Sequence, residues 1–152
     1  MTNSMEEMAD ADCIFVIGSN TTSSHPLVAT RIYRAKKKGA KLIVADPRRI
    51  QLAQEADVYV RQKLGTDVAL LNGIMHVIIE RGLQNSAFID ERTEGFEELK
   101  KVIADYPPEK AAEITGVDAE DIIRIAEYYA NAKRGSIVYC MGITQHTTGV
   151  DN

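Results

Sequence analysis

The sequence has 152 residues, of which 45% are hydrophobic, and its formal net charge is −4 at neutral pH. This length fits one domain with its own core, and the hydrophobic fraction is too high for a disordered chain. The acidic balance argues against a nucleic-acid surface. No apolar run approaches the roughly 20 residues that span a bilayer, and the polar, acidic N-terminus does not resemble a signal peptide.

The two cysteines, Cys13 and Cys140, lie far apart and lack the CxxC spacing of a metal site. Each lies in an apolar run, so we expect both to be reduced residues of buried strands, as in a cytoplasmic protein. The sequence indicates no metal site and no catalytic side-chain set.

The first half of the chain predicts strands that alternate with helices. A polar loop, residues 19–24, follows the first strand. Ser24 is placed to cap a helix that runs from Pro26 to about residue 38, where Gly39 provides a left-handed stop. A short helical piece reaches about residue 54. The three predicted strands are residues 12–17, 41–45 and 57–61.

The second half predicts mainly helices. A long apolar helix over residues 68–81 precedes a helical insertion, residues 83–118, which is broken near Gly95. An amphipathic helix begins at Asp118, where Asp118 and Asp121 have a spacing like that of a capping box. A fourth strand is predicted at residues 136–141.

This alternation predicts an α/β fold with a parallel sheet covered by helices on both faces. Right-handed crossovers from the first strand to the second and third, and a return to the fourth, give the order 3-2-1-4. We therefore expect residues 1–152 to form one Rossmann-like domain, with the helical insertion before its last strand.

Ligands of such sheets bind outside the carboxyl ends of the strands. All four predicted strand ends carry polar or glycine-containing motifs, and together they suggest an elongated ligand lying across one rim. The motifs are Gly18-Ser19-Asn20, Asp46-Pro47-Arg48, Leu64-Gly65-Thr66-Asp67 and Met141-Gly142-Ile143-Thr144-Gln145.

The first motif suits a phosphate, because Gly18 lets backbone approach a ligand before a helix N-terminus. Without a second or third glycine it is not GxGxxG, which argues against an ordinary NAD site. The alternative is a polar loop with a serine cap.

At the second motif, Asp46 could accept hydrogen bonds from two ribose hydroxyls, and Arg48 could approach a phosphate or a base edge. The alternative is an Asp-Pro turn with solvated arginines.

Asp67 suits guanine, whose ring N–H and exocyclic amine form an adjacent donor pair that adenine lacks. Alternatively, Thr66 or Asp67 caps the following helix.

Gln145 offers an amide at the end of the fourth strand, where Gly142 leaves room for a ring system. Alternatively, Gln145 is an ordinary loop residue. His76, in the apolar helix, is expected to be a structural histidine.

In order and spacing, these residues resemble the large catalytic subunit of molybdopterin oxidoreductases, and within them formate dehydrogenases. The resemblance covers nearly the whole chain. Besides the rim motifs, it rests on Ala11-Asp12, Ser24-His25-Pro26, Gly39-Ala40-Lys41, Ala69-Leu70-Leu71-Asn72, Arg92-Thr93-Glu94-Gly95-Phe96-Glu97-Glu98 and Ile114-Thr115-Gly116-Val117.

The resemblance implies a domain that binds a molybdopterin guanine dinucleotide carrying molybdenum or tungsten. Gly18, Ser19, Asn20 and His25 would line its pyrophosphate and pterin side. Asp46 and Arg48 would bind the guanosine ribose and its surroundings, and Asp67 the guanine, with Gly65 in the same motif. Met141, Gly142 and Gln145 would approach the cofactor from the opposite wall.

The family's 4Fe-4S module, its cysteine or selenocysteine metal ligand and its second cofactor-binding domain have no counterpart in this sequence. We therefore expect a fragment that is inactive alone and that works with the remaining domains of its subunit and with electron-transfer subunits. The parent reaction would be two-electron oxidation of formate to carbon dioxide. The alternatives are a nitrate reductase of the same family, the central domain of a thiamine-diphosphate enzyme and a non-enzymatic interaction module.

Overall fold

The computed structural model describes residues 4–150 and 152. Its sheet consists of Cys13–Ile17 (β1), Lys41–Ala45 (β2), Val58–Val60 (β3) and Gly135–Tyr139 (β4). All neighbouring strands are parallel, and their order is β3-β2-β1-β4. This confirms the predicted sheet and its order.

The helices follow the predicted sequence of elements, including the break near Gly95, which has a positive φ of 72°. Three helices lie between the long apolar helix, Asp67–Glu80, and the last long helix, Ala119–Ala130, within the predicted insertion. The helices are Thr21–Ser24 (α1), Pro26–Lys37 (α2), Asp67–Glu80 (α3), Ser86–Arg92 (α4), Phe96–Ile103 (α5), Pro108–Thr115 (α6), Ala119–Ala130 (α7) and Met141–Thr144 (α8). Glu7–Asp10 and Gln51–Gln54 form single 3-10 turns. No helix in the described part of the chain is both long and apolar enough to cross a membrane.

Helices pack on both faces of the sheet, as an all-parallel sheet requires. Successive side chains of β1 point to opposite faces of the sheet. Phe15 packs in a cluster with α3, α6 and α7, whereas Ile14 and Val16 pack in a cluster with α2. Each of these three residues is 2% exposed or less. Burial of such a side chain contributes about 1.5–3 kcal/mol, so the central strand anchors both layers.

The strand β4 differs from its prediction. It ends at Tyr139 rather than at residue 141, and its side chains alternate between exposed and half-buried because it lies at the edge of the sheet beside β1 alone. Cys140 follows the strand and is half-buried, so its placement in a buried strand was wrong, whereas Cys13 lies buried in β1. Both cysteines are free.

Two predicted caps are also wrong. The loop predicted at residues 19–24 contains α1, and the Ser24 hydroxyl donates to the carbonyl of Asn20 instead of capping α2. Asp118 begins α7 without a side-chain cap, and no capping box forms with Asp121 among the described residues. Neither α2 nor α7 has a side-chain hydrogen bond at its N-cap among the described residues.

Candidate functional site

The four strands end at the same level of the sheet. Ile17 of β1 is in register with Ala45 of β2 and with Tyr139 of β4, and Ala45 is in register with Val60 of β3. The residues after these four positions therefore emerge along one rim, where parallel sheets bind their ligands.

A cavity of about 370 Å³ opens at this rim. Residues that follow all four strands line it, which means that it extends across the sheet. Seven of the predicted site residues contribute to its wall: Gly18, Asn20, Asp46, Arg48, Asp67, Met141 and Gly142.

Two glycines bring the loops after β1 and β4 into direct contact at the cavity. The amide of Gly142 donates to the carbonyl oxygen of Gly18 at 3.0 Å. A Cβ atom on Gly142 would lie 2.4 Å from that oxygen, so only glycine permits this approach. Gly18 also has a φ of +56°, which L side chains rarely adopt. The position that a Cβ of Gly142 would take is thus already occupied by the backbone of Gly18, while Gly142 also borders the cavity.

Asp46 is 2% exposed and forms the tight turn after β2. Its Oδ1 accepts the backbone amide of Arg48 at 2.8 Å, so the turn interpretation is confirmed. The carbonyl oxygen of Asp46 accepts from the Tyr59 hydroxyl at 3.3 Å. Burial raises the pKa of Tyr59 and keeps that hydroxyl protonated as a donor. The second carboxylate oxygen, Oδ2, has no hydrogen-bond partner among the described residues, so the turn leaves it free to accept.

Asp67 is the first residue of α3 and is 6% exposed. Its Oδ1 accepts from Nε2 of Gln62 at 3.0 Å. The Thr66 hydroxyl donates to the carbonyl of Lys63, and neither side chain caps α3 within the described residues. The helix-cap interpretation of Asp67 was therefore wrong. Its buried carboxylate is held by a side chain and borders the cavity.

The remaining predicted residues lie elsewhere. Ser19 and His25 border a neighbouring cavity of about 410 Å³ between β4 and the start of α2. Gly65 and Gln145 are exposed and line neither cavity. His146 lines the first cavity, and its Nε2 donates to the carbonyl oxygen of Gly142 at 2.7 Å. His76 is satisfied by the carbonyl of Ile103 at 3.0 Å, as expected of a structural histidine.

Sequence reasoning missed Gln62 and Lys63, which also line the cavity. A signal for Gln62 was present: it follows Val58 and Val60 in the strand's alternation, which continues the face buried against the helices. A polar residue at a buried position beside a strand end is a site candidate. Within residues 4–150 and 152, no cluster of three or more histidine, cysteine, aspartate and glutamate side chains could hold a metal ion.

The fold and rim define a class: an open parallel α/β domain whose polar cavity lies where the strands end. The chain matches the molybdopterin oxidoreductase family over residues 1–152, and it belongs to that family. This match over the whole chain overturns the thiamine-diphosphate alternative.

Similar proteins cover nearly the whole chain. It is 56% identical to the F420-dependent formate dehydrogenase subunit alpha of Methanocaldococcus jannaschii over 99% of its length, and 46% identical to formate dehydrogenase H of Escherichia coli, also over 99%. It is 41% identical to a nitrate reductase of Symbiobacterium thermophilum over 95%. The chain spans 21–22% of the length of these relatives.

A solved structure shows the same fold. The acetylene hydratase of Pelobacter acetylenicus superimposes with a TM-score of 0.83 at 40% sequence identity. The match covers 90% of this chain and 19% of that protein. The matching sheet and helices are thus one part of a much larger protein in that case.

Proposed function

We propose that this chain holds the guanosine end of a molybdopterin guanine dinucleotide within the large subunit of a formate dehydrogenase. The observation that carries the proposal is the pair of buried carboxylates, Asp46 and Asp67, on one cavity at the ends of neighbouring strands. Each has one oxygen engaged by the protein and one without a hydrogen-bond partner among the described residues.

These carboxylates match the donors of a guanosine. The Oδ2 atom of Asp46 can accept from a ribose hydroxyl, as an acidic residue after the second strand does in other nucleotide sites. Asp67 can accept from the ring N–H and exocyclic amine of guanine. Burial strengthens the contribution of these hydrogen bonds to binding, because a buried carboxylate oxygen without a donor raises the free energy of the unbound protein. The residues present therefore fit the nucleotide part of the cofactor.

The charges at the cavity also fit a dinucleotide. The side chain of Arg48 is 72% exposed at the mouth, where its guanidinium can reach a phosphate oxygen. Gly18 brings the backbone after β1 to the same cavity. When bound, the cofactor's metal, molybdenum or tungsten, supplies the two-electron chemistry of formate oxidation. The residues of this chain bind and orient the nucleotide.

Formate is favoured as the parent substrate because four formate dehydrogenase subunits match at 44–56% identity, against 41% and 37% for two nitrate reductases. The 4Fe-4S cluster, the second cofactor-binding domain and the contacts with electron-transfer subunits are assigned to the rest of the parent subunit. On this proposal the 152 residues alone do not turn over formate.

The test is Asp67→Asn in the parent subunit. Asparagine keeps an oxygen for Gln62 but turns an amine toward the guanine donors. Loss of a hydrogen bond to a charged group costs about 1.5–3 kcal/mol, or roughly 10- to 150-fold in affinity. We expect less GMP released by acid hydrolysis per folded subunit, with little change in melting temperature. The matched control is Asp105→Asn, since Asp105 is exposed and outside the cavity. Unchanged GMP content in Asp67→Asn would contradict the guanine assignment.

A further inference from the structure

Gln62 is a neutral polar side chain buried beside Asp67. It is 3% exposed, and its Nε2 donates to Oδ1 of Asp67 at 3.0 Å. Its Oε1 is also buried and has no hydrogen-bond partner among the described residues. The amide nitrogen of Gln62 is therefore hydrogen-bonded, whereas its amide oxygen is without a partner among the described residues.

The carboxylate of Asp67 dictates this orientation. A carboxylate only accepts, so the amide of Gln62 must turn its nitrogen toward Asp67 and its oxygen away. A buried oxygen without a donor is unfavourable for folding. A leucine would fill a similar volume without this penalty, so the stability of the core does not explain a glutamine here.

We propose that Gln62 is a positioning residue that gives Asp67 its preference for guanine; this rests on the proposed function. The amide fixes Oδ1 and with it the plane of the carboxylate, so that Oδ2 is presented to the cavity in one orientation. A freely rotating carboxylate would meet the adjacent donors of guanine in many geometries, most of them poor. A pre-oriented acceptor strengthens binding by reducing the ordering needed when the ligand arrives.

The experiment measures the Kd of GMP and of AMP for the cofactor-free parent subunit. In the unaltered protein we expect GMP to bind more tightly than AMP. In Gln62→Leu we expect GMP binding to weaken about 10-fold with AMP binding almost unchanged, so the preference falls about 10-fold. Gln62→Glu places an acceptor against Oδ1 and should lose at least as much.

The control and a second readout separate positioning from structure. Gln84 also has a buried Oε1 without a partner among the described residues, but it lies outside the cavity, so Gln84→Leu makes the same chemical change elsewhere. Its ratio of Kd values should match that of the unaltered protein. A purely structural role for Gln62 would lower the melting temperature and weaken GMP and AMP equally. If Gln62→Leu does not fold, Gln62→Met provides an unbranched side chain of similar length for the same measurement.

The outcomes also separate this inference from the proposed function. If Asp67→Asn abolishes the preference for GMP while Gln62→Leu leaves it intact, the inference about Gln62 is wrong and the guanine site stands. If neither substitution changes the preference, both are overturned.

Discussion

Gly142→Ala tests the close approach of the two loops at the cavity. The new Cβ would lie 2.4 Å from the oxygen and 2.7 Å from the Cα of Gly18. Since Cβ atoms essentially never come within 3.0 Å of such atoms, the backbone segments must separate by about 0.6 Å. Overpacking of this kind costs roughly 1–3 kcal/mol, and weakening the Gly142–Gly18 hydrogen bond adds roughly 0.5–1.5 kcal/mol. We expect a loss of about 1.5–4.5 kcal/mol in the free energy of unfolding.

The assay is urea and thermal unfolding of the purified chain. For a domain of this size, the expected loss lowers the melting temperature by roughly 3–18 °C. The control is Gly135→Ala, whose Cβ would meet the ring of Tyr129 at 3.0 Å, a side chain that can turn aside. Neither glycine has a positive φ, so backbone strain does not enter the comparison. Equal stability of the two variants would refute the argument that the contact between Gly18 and Gly142 excludes a side chain.

Two further predictions concern titratable groups. Burial raises the pKa of Cys13 to about 12, so a thiol reagent at pH 8 should modify the half-buried Cys140 and reach Cys13 only after unfolding; early modification of Cys13 would contradict this. Burial alone would raise the pKa of Asp57, but hydrogen bonds from Lys36 and the Leu42 amide, with nearby lysine charge, lower it below its ordinary 3.8. Its stabilisation is therefore complete above that value and lost as pH falls through the lower folded pKa. Unfolding measured from pH 6 to pH 2 should show a larger loss of stability in the unaltered chain than in Asp57→Asn; matching profiles would count against the ion pair.

The centre of the fold could be predicted because its signals are local and consistent. The run Cys13–Ile17 is apolar at every position, which indicates a strand buried on both faces. In the structure all five residues are buried. Gly95 is the N-cap of a helix and has a positive φ, at the break that was predicted there. The grouping of Asp46 with Asp67 followed from the shared rim of a parallel sheet.

The errors arose where neighbours in space decide the outcome. The apolar sequence of β4 indicated a buried strand. Burial of a strand also depends on a neighbour on each side, and in the described chain β4 has only β1 beside it. Ser24 bonds to Asn20 because α1 places that carbonyl within reach. Gln62 was overlooked because a single polar residue after a strand is ordinary in sequence, and its contact with Asp67 exists only in the folded chain.

The edge position of β4 has a consequence for handling the chain. Ile137 and Tyr139 are 48% and 61% exposed on this strand, and its outer row of backbone donors and acceptors is unpaired among the described residues. An exposed apolar edge is a template for strand pairing between molecules. The isolated chain should therefore self-associate as its concentration rises. A charged residue in place of Ile137 should keep it monomeric, and the cavity of about 370 Å³ at the rim should be unaffected because Ile137 does not line it.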